Sequence, residues 1–134
     1  MDETFVVAAP EAVSEALHDP QLWRNWWPDL QLTVEKDRGP AGLHFTVRGA
    51  LVGTGELWLE TWGDGVVVHV FLRADPTRPG SDTEPASLKL RQIWREARKR
   101  AWQTKRGMGE LKDRLEGDRR PGEPRPDLVT ATDR

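Results

Sequence analysis

The feature that most limits what this chain can fold into is an apolar stripe from Leu90 to Leu115. It runs Leu90, Trp94, Ala97, Ala101, Thr104, Met108, Leu111, Leu115, in alternating steps of four and three. That spacing keeps all eight side chains on one face of an α-helix. The opposite face carries Lys89, Arg91, Arg95, Arg98, Lys99, Arg100, Lys105 and Arg106. A helix so divided needs an apolar surface to lie on. The chain upstream reads mostly as short strands, so that surface is a sheet. The stripe is bulky at both ends and small at Ala97, Ala101 and Thr104. A helix with a narrow waist over a curved sheet either admits large sheet side chains or leaves a cavity.

The strands show themselves by alternation. Glu3 to Ala8 is β-prone and ends at Pro10. Pro10 suits the first turn of a helix over Glu11–His18, and Pro20 opens a second over Gln21–Trp27. Pro28 stops it, because the residue before proline avoids helical angles. Then come Leu30–Glu35, Leu43–Arg48, Glu56–Trp62 and Val66–Arg73. In each, wholly or mainly aliphatic residues take one side: Leu30, Leu32 and Val34; Leu43, Phe45 and Val47; Leu57 and Leu59; Val66, Val68 and Val70. This pattern predicts an antiparallel meander with one face buried. Gly49–Gly55 reads as a bend, Gly63-Asp64-Gly65 as a hairpin turn, and Asp75–Ala86 as a loop. Ser87 is positioned to cap the long helix. Gly107 and Gly109 each weaken it by about 1 kcal/mol relative to Ala. The domain therefore spans 1–116, and 117–134, which lacks apolar periodicity, reads as a disordered tail.

Composition narrows the function classes. The 134 residues suit one domain. No apolar run approaches the roughly 20 residues of a membrane span. The acidic start, MDETFVV, does not resemble a secretory signal. With no cysteine there is neither disulfide nor thiolate chemistry, which fits a cytoplasmic protein. Net charge is −2, yet residues 1–86 carry −8 and residues 87–134 carry +6. A basic helix balanced by an acidic sheet accounts for this without nucleic acid; the alternative is a ligand-free interaction domain that uses the basic C-terminal helix to meet a protein or nucleic acid.

The element order is strand, two short helices, meander, long closing helix. Together with AAPEAV, DPQLWRNWWPDL and GELWLETWGDGVVVHVFLRADP, it resembles the START-like (SRPBCC, Bet v 1-like) superfamily. The part it most resembles is the bacterial polyketide cyclase/dehydrase and lipid-transport group. The resemblance covers roughly residues 3–116 and includes no catalytic signature. It implies an α+β helix-grip fold with an apolar cavity between sheet and long helix, binding lipids, polyketides or quinone-like molecules. That fold has six or seven strands, whereas the alternation here yields about five.

On this reading Trp23, Trp26 and Trp27 stand at the cavity mouth. Phe45, Val47, Leu57, Leu59, Val68 and Val70 line it from the sheet, and Trp94, Ala97 and Ala101 from the helix. The alternative is an ordinary filled core, with Trp23 and one of the Trp26/Trp27 pair as plugs. Arg48, Glu60 and His69 lie on the polar strand faces. If those faces turned inward, His69 or Glu60 would move a proton while Arg48 stabilised an enolate, as in a cyclase. The absence of tyrosine weakens the cyclase reading. Trp58, Trp62 and Phe71 share the outer face and point to a homodimer through the sheet. No histidine pair has ligand spacing, and GALVGTG lacks the lysine of a phosphate loop, so no metal or cofactor is expected.

Overall fold

The computed structural model describes residues 1–125. The strands are β1 (Asp2–Val6), β2 (Leu30–Asp37), β3 (Gly42–Gly49), β4 (Leu51–Trp62) and β5 (Gly65–Pro76). They form one curved antiparallel sheet in the order β1-β5-β4-β3-β2. Helices α1 (Pro10–Leu17) and α2 (Pro20–Trp26) connect β1 to β2, and α3 (Leu90–Glu116) closes the fold. Of the tail read at 117–134, residues 126–134 lie outside the described residues. Gly117–Asp118 and Pro121–Gly122 form turns, with Arg119 Nε–H donating to the Glu123 carbonyl at 2.7 Å.

Each start and stop has a local cause. Pro10 and Pro20 stand in the first turns of α1 and α2, where no amide donor is needed. The Asp19 carboxylate accepts the Gln21 amide at 2.9 Å, an N-cap for α2. The two-residue turn Gly63–Asp64 joins β4 to β5, and Gly63 takes the left-handed conformation at φ 58°. The alternation holds on β3, β4 and β5, where Leu43, Phe45, Val47, Leu57, Leu59, Val66, Val68 and Val70 all face inward and are buried; on the edge strand β2 only Leu30 is buried, and Val34 is 41% exposed. Each such side chain contributes about 1.5–3 kcal/mol by leaving water.

Three expectations are corrected. Gly49–Gly55 is no simple bend, since β4 runs unbroken from Leu51 and carries Gly53 and Gly55 within it. A Cβ on Gly55 would sit 2.3 Å from the Phe45 ring, so this glycine makes room for an aromatic on the next strand. The N-cap of α3 is Lys89 and not Ser87; its amide donates to Gln92 Oε1 at 2.9 Å. Most consequential, the apolar stripe meets the sheet over only half its length. Thr104, Met108 and Leu111 are buried, but Leu90 and Trp94 are 70% and 65% exposed. The side chains of residues 90–99 are mostly exposed, and that half of α3 stands off the sheet as an overhang.

Candidate functional site

Where α3 overhangs, a cleft of about 220 Å³ opens between helix and sheet. Leu51 on β4 and Val70, Leu72 and Ala74 on β5 form its sheet side. Ile93, Ala97, Ala101 and Thr104 form its helix side. The small residues of the helix waist are what keep helix and sheet from filling this space.

One end of the cleft is polar and is organised by Arg100. Helical spacing predicts this side chain on the solvated face, and that expectation is corrected: Arg100 is only 5% exposed. Its Nη1–H and Nη2–H donate to the two oxygens of Asp29 at 2.6 and 2.7 Å. Further bonds run from Nη2 to Glu96 at 3.1 Å and from Nη1 to Gln103 at 3.1 Å. The paired geometry is the strong form of an arginine–carboxylate contact. The Arg100 bond holds the Asp29 carboxyl below its usual range, against the burial that pushes it up. Burial lowers the Arg100 pKa, but Asp29 and Glu96 outweigh it, and the net shift is upward. No sequence periodicity announces this contact, because a lone arginine in a basic helix looks like every other.

The residues predicted to line a cavity divide into groups. Val70, Ala97 and Ala101 line the cleft. Phe45, Val47, Leu57, Leu59 and Val68 belong to the closed core. Trp23, Trp26 and Trp27 are all buried in that core, at 7%, 2% and 0% exposure. The indoles of two of them bond inward: Trp23 Nε1–H to the Leu17 carbonyl at 2.8 Å, Trp27 Nε1–H to Thr104 Oγ1 at 3.2 Å. Trp26 stands edge-on to Trp27, with ring centroids 5.6 Å apart. Trp94 projects from the overhanging part of α3.

Arg48, Glu60 and His69 lie away from the cleft, on the outer strand faces. His69 and Glu60 do meet: Nε2 is 3.2 Å from Glu60 Oε2, and Nδ1 is 3.1 Å from Glu3 Oε2. The Trp58 ring stacks on the imidazole at 4.5 Å, and Phe71 lies beyond it at 6.4 Å. Cross-strand register explains the grouping, since β5 sets His69 opposite both Glu3 and Trp58. Arg48 on β3 sits opposite Gln31 on β2, and it makes no ion pair among the described residues. Trp62 is 68% exposed and packs edge-on against Phe5.

A second polar group merits a chemical test. Ser14, His18 and Asp37 lie in line, with Ser14 Oγ 3.4 Å from His18 Nδ1 and His18 Nε2 2.9 Å from Asp37 Oδ1. This is not a nucleophile and its base. His18 Nδ1 is also 2.6 Å from the Ser14 carbonyl, which can only accept. Both ring nitrogens therefore donate, and the imidazolium is the form these partners favour. Burial lowers the His18 pKa, but the Asp37 and Ser14 bonds outweigh it and raise it above its ordinary value.

Among the described residues, no cluster of three His, Asp or Glu side chains converges on a metal-sized site. Among them too, no helix is long and apolar enough to cross a membrane.

A curved antiparallel sheet gripping a long C-terminal helix, with two short helices after the first strand, is a helix-grip architecture. One solved structure with a TM-score above 0.5 agrees. The solution structure of the Aha1 dimer from Colwellia psychrerythraea matches with a TM-score of 0.54 at 15% identity, covering 89% of this chain and 96% of that one. The crystal structure of TTHA0849 from Thermus thermophilus matches at 0.48 and 15% identity, over 84% and 93% of the two chains. At such identity the first likeness shows the fold alone. No protein-family model matches the sequence, and no curated protein matches it.

Proposed function

We propose that this chain is a binding module that holds a small hydrophobic molecule in the cleft between β4, β5 and the overhanging half of α3. The observation that carries this reading is the cleft itself, an apolar recess beside an otherwise closely packed core. Ligand sites are concave and mainly apolar, with a few polar groups that fix orientation. Arg100, Thr104, Asp2, Asp75 and Glu96 are the polar residues that border it. Val70, Ala97 and Ala101 are the lining residues that the sequence reading and the cleft share. A lipid-like, polyketide-like or quinone-like molecule is the expected class.

The cyclase alternative draws no support from geometry. Arg48, Glu60 and His69 lie on the outer strand faces, so the binding reading assigns them no chemical step.

The test is native mass spectrometry of the purified protein, with organic extraction of what is bound, on wild type and Ala101→Phe. A stoichiometric extra mass in wild type that disappears in the variant is the expected result. An extra mass that survives a filled cleft would place the ligand elsewhere.

Self-association through the outer sheet face is a second reading, with its own observation. Trp58 and Trp62 are 37% and 68% exposed on that face, and the Colwellia psychrerythraea neighbour is a dimer.

A further inference from the structure

The overhanging half of α3 carries charge that its own fold does not neutralise. Residues 88–109 hold eight Lys and Arg against one acid, Glu96. Glu96 and Asp29 are taken by Arg100, with Lys99 also 3.7 Å from Asp29, and Arg106 faces Glu110 at 4.0 Å. Arg91, Arg95, Arg98 and Lys105 are exposed and make no ion pair among the described residues. The chain as a whole carries −2. An anionic partner is therefore attracted by this local surplus, which also fixes the face it meets.

Apolar side chains stand among these cations. At 100° per residue, Arg91, Trp94, Arg95, Arg98, Trp102 and Lys105 fall within about 100° of the helix circumference. Trp94 and Trp102 are 65% and 62% exposed, Leu90 70% and Ile93 46%. The face runs about 22 Å along the axis from Leu90 to Lys105. A second α3 laid on this face would set cation against cation. A nucleic acid strand would use the cations and stack bases on the indoles, but Leu90 and Ile93 offer it nothing. The head-group layer of an anionic membrane uses every one of these groups. Lys and Arg stems lie along apolar surface while their heads reach lipid phosphates. Indoles and their aliphatic neighbours settle at the boundary of head groups and acyl chains.

We propose that the overhanging half of α3 docks on an anionic bilayer, with Leu90, Trp94 and Trp102 entering the head-group layer and the unpaired cations meeting lipid phosphates. The docking does not depend on what the cleft holds. It does bear on where the cleft opens. Ile93, Ala97 and Ala101 of the cleft lining adjoin Leu90 and Trp94 on the helix circumference, so the helix side of the cleft borders the bilayer.

The experiment sediments the full chain with sucrose-loaded vesicles at about 0.1 M salt. One set is equimolar phosphatidylglycerol and phosphatidylcholine, the other phosphatidylcholine alone. Wild type should bind the mixed vesicles about tenfold more tightly or better. Arg91→Gln/Arg95→Gln/Arg98→Gln should lose most of that advantage. Lys36→Gln/Arg48→Gln/Arg73→Gln removes as much charge from the sheet and should bind as wild type. With dibrominated acyl chains in the mixed vesicles, quenching of tryptophan fluorescence should vanish in Trp94→Leu/Trp102→Leu and persist in Trp62→Leu. Equal binding to the two vesicles would overturn the proposal, and this comparison needs no variant to fold. Equal loss in the two charge variants would overturn it too, as would quenching that tracks Trp62. A dimer in solution that Trp94→Leu dissolves would give the face to a second copy. Tighter binding of single-stranded oligo-dT than of mixed vesicles would give it to nucleic acid.

Discussion

Single side chains in this molecule are tuned by partners that sequence spacing does not reveal. Arg100→Met would leave Asp29 and Glu96 without their cation. Removing one member of a buried pair costs about 3–5 kcal/mol, but the Asp29 side chain is 37% exposed. Solvent screening reduces the expected loss to about 1–3 kcal/mol, read from urea unfolding. The same contact sets an acid limit. Asp29 titrates below its ordinary 3.8 in the folded chain, so its stabilisation is complete above that pH. It is lost as pH falls through the lower folded value. Asp29→Asn should flatten that part of the stability–pH curve. His18 works in the opposite direction. Its folded pKa lies above 6.5, so its contribution is full below pH 6.5 and disappears as pH rises through the higher folded value. Urea midpoints of wild type and His18→Gln should therefore converge on the alkaline side of that window and separate on the acid side. Arg100 and His18 were both illegible in sequence for one reason. A polar side chain on a helix reads as solvated until the fold brings its partner, Asp29 or Asp37, from another element.

Elements were far more legible than their partners. Alternation is a local property of a strand, so Leu43, Phe45, Val47 and their counterparts on β4 and β5 declared their inward face directly. The glycines of β4 hid that strand's first residues, because Gly53 and Gly55 serve neighbouring strands and not their own. The stripe on α3 correctly announced a helix but overstated its contact, since periodicity says which face is apolar and not how far the sheet extends beneath it. Two glycines of α3 make a paired test. A Cβ on Gly107 would come within 2.4 Å of the Trp26 ring, whereas one on Gly109 meets nothing within 4 Å. Gly107→Ala should destabilise by about 1–3 kcal/mol through overpacking. Gly109→Ala should stabilise by up to about 1 kcal/mol through helix propensity. Thermal melts of the two variants should move in opposite directions. Hydrogen exchange should divide the same helix, with amides at 91–99 exchanging well before those at 104–115.

For the whole molecule, two exposed apolar surfaces compete as the place where copies meet. One is the outer sheet face with Trp58 and Trp62; the other is the overhang with Leu90, Ile93 and Trp94. Light scattering on size-exclusion fractions decides between them. If copies meet through the sheet, Trp62→Glu yields monomer while Trp94→Glu leaves the assembly intact. The reverse outcome moves the interface to α3. The molecule also carries a clasp between its first strand and the end of its last helix. The Val7 amide donates to Glu116 Oε2 at 3.1 Å, and Lys112 Nζ donates to the Phe5 carbonyl at 2.6 Å and to Glu116 at 2.5 Å. This clasp has a consequence for the order of folding. Strands β2 to β5 are sequence neighbours and pair successively, whereas β1 must find β5 across most of the domain, with Asp2 opposite Val70. Closing so long a ring costs entropy that only late contacts repay. Glu116→Gln should therefore accelerate unfolding and leave the refolding rate nearly unchanged in stopped-flow measurements. Those two hydrogen-bonded side chains would then govern how long the native chain persists, not how quickly it forms.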